Sequence, residues 1–308
     1  MTLHQNILGV DVAKDWIDTC DLASGQAARI ETTARALAAF ASQLPKDMFV
    51  VFEASGGYER GLMEALEEAG IVYARLNPRQ VREFARATGR LAKTDRIDAR
   101  VLAEMGRALK PAPAASSNPA RRRLADLVAR RADLVAAITA ETCRLAQARE
   151  VFIRRDIKSL IALLQRRRLV MEKEIAAQLR AAEDLGRLEA RLRTAPGVGP
   201  LVAATLIAAL PELGRMDRRQ LASLAGLAPH ASESGKHRGR RKVWGGRREV
   251  RRALYIAALV ASRFNKDLRA FRDRLIDNGK PFKVAIIAVA RKLLTILNAM
   301  IRDQRDYA

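Results

Sequence analysis

Between Gly106 and Gly186 the chain has no glycine, and between Pro119 and Pro196 it has no proline. A stretch that long, without the two residues that most readily end a helix or force a turn, reads as long helix from Ala120 to about Leu185. Apolar residues recur in it at steps of three, four or seven: Leu124, Leu127, Leu134, Ile138, Leu145 and Phe152, then Ile157, Ile161, Leu164, Met171 and Ile175. Arg131 and Glu141 interrupt the series. The pattern is coiled-coil-like. It suits a helical bundle closed within one chain, and equally an arm that pairs with a second copy.

That helical block divides the 308 residues into three expected parts: 1–110, 111–195 and 196–308. The first alternates strands and helices. Ile7 to Val12 reads as a strand with one acid embedded, Trp16 to Leu22 as a second, and Met48 to Phe52 as a buried strand closing on Glu53. Helical spacing covers Thr33 to Leu44, Glu59 to Glu68 and residues 93–109, and Ile71 to Leu76 is a further strand. This is an α/β domain. Lys110 to Pro119 has the composition of a linker. Residues 196–308 read as all helix, with helices near 201–210, 218–225, 247–262 and 281–302 and a polar loop at 228–246.

The charge follows the same division. The net charge is +22, which points to a polyanionic partner, usually nucleic acid. Residues 1–110 are neutral, with 15 basic and 15 acidic side chains, whereas 111–195 carry +8 and 196–308 carry +14. An enzyme that gathers carboxylates around metal beside a basic groove explains that split better than a binding protein does. Cys20 and Cys143 form no CxxC pattern, and only three histidines occur, so zinc and disulfide frameworks are not expected. No signal peptide is evident, and no apolar run is expected to reach the ~20 residues that span a bilayer. A soluble, cytoplasmic protein is expected, with no membrane partner.

Four acids stand out. Asp11 lies inside the first strand, Glu53 closes another, and Asp95 and Asp98 sit three apart, on one side of a helix. Taken singly, each is explained more readily by an ion pair, Asp11 with Lys14 or Asp98 with a nearby arginine of its helix. Strand acid, strand-end acid and two helical acids in that order are the layout of an RNase H-like nuclease sheet. Their hard oxygens suit Mg²⁺ or Mn²⁺, and two such ions about 3.5–4 Å apart can clamp a reacting phosphate.

The loop from Gly226 to Arg241 is dense in cations and presents Ser232 and Ser234. Its composition is that of a phosphate-binding loop. Ser234 hydrogen-bonds a phosphate or caps a turn, or else acts as a nucleophile among cations that stabilise the phosphate charge. Pro196-Gly197-Val198-Gly199, between two apolar stretches, is similar to a helix-hairpin-helix turn, in which Gly197 and Gly199 let backbone N–H groups approach a phosphate. An ordinary helix–helix turn fits the same residues.

Taken in order, these pieces resemble the DEDD transposases of the insertion-sequence one-hundred-ten family, relatives of the Piv DNA invertases. The matching segments are Gly9-Val10-Asp11-Val12-Ala13-Lys14, Phe52-Glu53-Ala54-Ser55-Gly56-Gly57-Tyr58, and Asn77-Pro78 through Lys93-Thr94-Asp95-Arg96-Ile97-Asp98-Ala99-Arg100. Pro196-Gly197-Val198-Gly199, Gly226-Leu227-Ala228-Pro229, Ser234-Gly235, Gly245-Gly246-Arg247 and Ala290-Arg291-Lys292-Leu293-Leu294 complete the set. Ser55 stands where the family often has threonine, and Glu233 where many relatives carry a second serine.

The resemblance implies a RuvC-like N-terminal domain, a coiled-coil connector and a helical C-terminal transposase domain. It implies Asp11, Glu53, Asp95 and Asp98 as metal ligands and Ser234 as the residue that attacks DNA. It also implies a bridge RNA that pairs with target and donor DNA, and homodimers that assemble into tetramers. Lys236, Arg238, Arg240, Arg241, Lys242 and Arg247 are expected to hold phosphates rather than select bases. The rival readings are a hydrolytic RuvC-like junction nuclease, in which water attacks, and a non-catalytic nucleic-acid-binding scaffold.

Overall fold

The computed structural model of the chain describes residues 6–89, 95–114, 118–230, 233–234, 237–238 and 242–307. It divides into two compact units, Met1–Ser116 and Ser117–Ala308.

The first unit is a mixed sheet with helices on both faces. Its elements are β1 (Ile7–Val12), β2 (Trp16–Asp21), β3 (Ala27–Glu31), α1 (Ala34–Gln43), β4 (Phe49–Glu53), α2 (Arg60–Glu68), β5 (Val72–Leu76), α3 (Pro78–Ala87) and α4 (Asp95–Leu109). The strand order is β3-β2-β1-β4-β5. β4 runs parallel to β1 and β5 to β4, while β2 is antiparallel to both of its neighbours. The central strands are covered on both faces, which is why β1 and β4 are nearly continuous apolar runs. β3 is an exposed edge strand. Its Ala-Ala-Arg-Ile-Glu has no apolar alternation, so the periodicity gives no sign of it. α3 carries no such sign either, although Asn77 caps it through its side chain and Pro78 opens it.

Each sheet face has its own core. On one, Leu8, Val10, Val50 and Phe52 meet Leu37 of α1 and Leu62 and Leu66 of α2. On the other, Ile7, Phe49 and Val51 meet Val101, Leu102 and Met105 of α4. Burying each of the larger side chains contributes about 1.5–3 kcal/mol. The second face accepts α4 because two glycines leave room for it. A Cβ on Gly9 would fall 1.9 Å from the Ala99 carbonyl oxygen and 2.6 Å from the Ala103 nitrogen. One on Gly106 would fall 2.8 Å from Val51 Cγ2 and 3.3 Å from Ile7 Cγ2. These contacts also orient the helix. Ala99 and Ala103 cross Gly9, and Gly106 crosses Ile7, so α4 runs towards the start of β1 and begins near its C-terminal end.

The second unit is helical: α5 (Pro119–Gln147), α6 (Val151–Ala181), α7 (Glu183–Arg193), α8 (Pro200–Ala209), α9 (Arg218–Leu224), α10 (Arg248–Phe264), α11 (Lys266–Asp277) and α12 (Phe282–Arg302). Four two-residue strands lie between α9 and α10: β6 (Pro229–His230), β7 (Glu233–Ser234), β8 (His237–Arg238) and β9 (Lys242–Val243). The stretch free of glycine and proline is mainly two helices, α5 and α6. The chain breaks at 148–150, where the Glu150 carboxylate accepts from the N–H groups of Phe152 and Ile153. Arg131 Nε donates to Glu172 at 2.8 Å and Gln178 Nε2 to the Ala120 carbonyl at 3.1 Å, so α5 and α6 lie antiparallel. The arginine that interrupts the apolar series is thus an inter-helix tie. Leu124, Leu134, Ile157 and Ile175 are buried as their spacing requires. Phe152 corrects the pattern: it is 76 % exposed at the hairpin tip, beyond the reach of the paired helices.

α12 corrects another expectation. It is 21 residues long, with a mean hydropathy of 1.9, long and apolar enough by length and composition to cross a bilayer. Half of that window is buried. Ile286, Val289, Leu293, Leu294 and Leu297 lie in the core that α5 to α12 share, so α12 is the central helix of this unit. Arg291 and Lys292 hide the run from a search for uninterrupted apolar residues.

Candidate functional site

The acids of the first unit are placed by strand register. In the β1–β4 pairing, Val10 lies opposite Phe52, and the next residue of each strand is Asp11 and Glu53 respectively. Side chains alternate along a strand, so Asp11 shares the face of Gly9, and Glu53 that of Val51. This is the face α4 covers, and α4 starts at the same end of β1. Asp98 immediately precedes Ala99, whose carbonyl rests on Gly9. Asp11, Glu53 and Asp98 are each half-buried. One face of one sheet end thus receives three of the four expected acids. The fourth, Asp95, is the first residue of α4, and its side chain lies outside the described residues. Among the described residues, no three metal-capable side chains draw together into a closed binding group.

Two further acids at this end escape a reading of the sequence. Asp18 of β2 is the register partner of Asp11, so two carboxylates face each other across adjacent strands. Asp18 is buried, and Arg29 of β3 takes it as a fork, with Nε on Oδ1 at 2.9 Å and Nη2 on Oδ2 at 2.8 Å. The guanidinium also lies 4.8 Å from the Trp16 ring centroid. Asp18 is committed to that pair.

The second is Glu59, only 1 % exposed. Its Oε2 accepts from the Ser55 hydroxyl at 2.9 Å, the Gly57 N–H at 2.8 Å and the Ser55 N–H at 3.2 Å, and Oε1 meets Arg75 at 2.7 Å. Burial pushes its carboxyl up. Its own N–H, the Ser55 hydroxyl, the Gly57 N–H and the Arg75 charge outweigh burial and hold it below the usual carboxylate range. The hydroxyl at Ser55 therefore ties down the turn that leaves Glu53. A serine four residues before a glutamate is the available signal, hidden because Glu59 reads as the start of a helix.

Ser234 lies on an arm of the second unit. Pro229 pairs with Val243 and His230 with Lys242; further out, Glu233 pairs with Arg238 and Ser234 with His237. The expected polar loop is thus a β-hairpin with Ser234 in its outer pair. The side chains of Ser234, Arg238 and Lys242 lie outside the described residues, as do Ser232, Lys236, Arg240 and Arg241 altogether.

The base of the arm is tightly made. Gly226 and Gly246, both at positive φ, touch backbone to backbone: a Cβ on Gly246 would lie 2.2 Å from the Gly226 nitrogen. The Arg247 N–H donates to the Leu224 carbonyl at 2.8 Å. Arg251 Nη1 donates to the Gly245 carbonyl at 2.6 Å. The Arg247 guanidinium forks onto Glu212 at 2.6 and 2.7 Å and also donates to the Ala209 carbonyl at 2.9 Å. Burial pushes Glu212 up, and Arg247 more than offsets it, so its carboxyl too sits below the ordinary range. Arg247, expected at a phosphate, is already committed within the fold.

The two glycines of the helix-hairpin-helix-like turn differ. Gly197, at φ 78°, packs against α10, where a Cβ would meet the Ala257 carbonyl oxygen at 2.3 Å. Its permissiveness is used for packing. Gly199 caps α8 and has nothing within 4 Å of its would-be Cβ.

Comparison with known proteins covers both units. A family model described as "Transposase" matches residues 8–151, and one described as "Transposase IS116/IS110/IS902 family" matches residues 189–273. The pilin gene-inverting protein of Moraxella bovis is 26 % identical over 320 aligned positions, covering 99 % of this chain and 98 % of its own. An uncharacterized 42 kDa protein of insertion element IS900 from Mycobacterium paratuberculosis is 32 % identical, over 58 % of this chain and 46 % of its own. An uncharacterized 43.6 kDa protein of insertion element IS110 from Streptomyces coelicolor is 29 % identical, over 63 % and 50 % respectively.

Proposed function

We propose that this chain, which belongs to the IS110/IS116/IS902 family of transposases and is a DNA transposase or recombinase, cuts and rejoins DNA through a serine nucleophile served by the acidic end of its sheet. The observation that carries the reading is the placement of Asp11 and Glu53 at neighbouring strand ends, on the face where α4 brings Asp98. The strand order, with β2 alone reversed, supports an RNase H-like, RuvC-like first domain. The antiparallel α5–α6 hairpin supports the coiled-coil connector between residues 1–110 and 196–308.

Asp11, Glu53, Asp95 and Asp98 would hold Mg²⁺ or Mn²⁺, and the donor set fits, being carboxylate oxygen throughout. Such an ion, when bound, polarises a phosphoryl oxygen. The chain's own residues do the rest. Ser234 Oγ attacks phosphorus in line and gives up its proton. The 3′-oxygen of the cut strand leaves and gains one, which yields a 3′-hydroxyl and a 5′-phosphoserine. One P–O bond forms as one breaks, so attack by another 3′-hydroxyl reverses the step and rejoins strands without ATP.

Lys236, Arg238, Arg240, Arg241 and Lys242, together with the open N–H groups at Gly199, would hold phosphates around the serine. A bridge RNA would supply base pairing, and the +14 of residues 196–308 supports a region that meets both nucleic acids. Homodimers assembling into tetramers would let the acids of one copy serve the serine of another, on nucleoid DNA in the cytoplasm.

The test uses DNA carrying the ends of the element. Wild-type protein with Mg²⁺ should give a protein–DNA adduct that survives denaturation. Ser234→Ala should give none while still binding DNA, and Asp11→Ala should give neither adduct nor strand exchange. An adduct from Ser234→Ala, or full activity of the wild type in EDTA, ends the proposal.

A further inference from the structure

We infer that Tyr58 is a stacking platform for an unpaired DNA base, on the turn that follows Glu53 at the C-terminal end of β4. The inference rests on the reading that this end receives the scissile strand, and it adds a contact that the reading does not contain.

Tyr58 lies in the turn that leaves β4 directly after Glu53. Its ring is 55 % exposed, and among the described residues no hydrogen bond or ring contact holds it. An exposed aromatic on a loose loop would be unremarkable. This turn is fastened. The buried Glu59 carboxylate gathers three donors from Ser55 and Gly57, and Arg75 of the neighbouring strand β5 locks its other oxygen. Gly56 and Gly57 take φ of 75° and 117°, conformations that L side chains rarely adopt. The backbone on both sides of Tyr58 is therefore set while its ring stays in water.

A rigid, amphipathic ring of this kind loses little conformational freedom when it makes a contact. The chemistry that recognises it is a flat π-face, and every nucleobase offers one without regard to sequence. Strand exchange must unpair bases beside the cut, and their exposed faces need cover. Trp16, another exposed aromatic at this sheet end, is already engaged by Arg29.

The experiment uses the full chain and a 12-nucleotide single-stranded DNA carrying 5-iodouracil, in about 0.5 M salt to weaken the phosphate contribution. Irradiation should cross-link the DNA to the peptide containing Tyr58. Tyr58→Phe should keep wild-type affinity. Tyr58→Leu should bind about tenfold more weakly, within the range of one lost base stack. The inference is overturned if Tyr58→Leu binds as the wild type does, if Tyr58→Phe is as weak as Tyr58→Leu, if the cross-link maps only elsewhere, or if RNA of the same sequence is captured at Tyr58 in preference to DNA. Asp11→Ala separates the two layers. Retained strand exchange in that variant would sink the acid-site reading, whereas a missing Tyr58 cross-link with Asp11→Ala inactive would sink this inference alone.

Discussion

Gly9→Ala tests whether α4 is what brings the acids together. The new methyl would fall 1.9 Å from the Ala99 carbonyl oxygen, against a central β-strand that has no freedom to retreat. Ordinary contact starts at 3.4 Å, so the helix must back away by about 1.5 Å at that point. Overpacking of this kind costs about 1–3 kcal/mol, and the upper end applies because both obstacles, Ala99 O and Ala103 N, are backbone. The functional loss should be larger than the stability loss. Asp98 precedes Ala99, so it moves with the displaced turn, and a shift of about 1 Å in a reacting array costs roughly a hundredfold in rate.

Gly106→Ala is the control. Its methyl meets side-chain atoms only, Val51 Cγ2 at 2.8 Å and Ile7 Cγ2 at 3.3 Å, two turns from Asp98, and the helix gains about 1 kcal/mol in propensity that offsets part of the crowding. Urea unfolding and cleavage of end-bearing DNA, measured on both variants, should show Gly9→Ala less stable and about a hundredfold slower, with Gly106→Ala within a few-fold of wild type. Wild-type cleavage by a folded Gly9→Ala protein would refute the claim that α4 delivers an acid to the site.

Two other expectations follow from the ion pairs. The Glu59 carboxyl is depressed in the folded state, so the unfolded chain binds the extra proton as pH falls, and the stability this group contributes is complete above about 4.5 and lost as pH drops through the lower folded value. Glu59→Gln should therefore flatten the acid limb of a stability-versus-pH curve and cost about 1–3 kcal/mol at neutral pH; an unchanged acid limb would refute the assignment. Arg247→Ala and Glu212→Ala should each destabilise the protein by about 1–3 kcal/mol and show coupling in the double variant. Neither should alter the salt dependence of DNA binding, whereas a loss of slope by about one in Arg247→Ala alone would mean that this arginine does reach a phosphate.

The sequence discloses what repeats and what is buried. β1 and β4 are legible because a strand covered on both faces must be apolar throughout, which makes Asp11 and Glu53 conspicuous at their ends. Asp95 and Asp98 are legible from helical spacing. The edge strand β3 is not, because only Ile30 of its five residues packs on the core and the rest of its composition is unconstrained. Arg29 is therefore hidden, and with it the partner that neutralises Asp18. The break at 148–150 is hidden because its cap is a glutamate rather than a glycine or proline. The partners of Glu59 and Arg247 are hidden for one reason: each is held by a residue distant in sequence or by a turn, and one-dimensional spacing gives such pairings no signature.

The glycine contact beneath the serine-bearing hairpin has a consequence for how such proteins diversify. Because Gly226 and Gly246 bring the two ends of the excursion side by side and Arg247 and Arg251 rivet them to the helices, the helical body never senses how long the intervening segment is. That segment can be lengthened, shortened or grafted from a relative as a cassette without repacking the interior, so the groups it carries can change at a pace of their own.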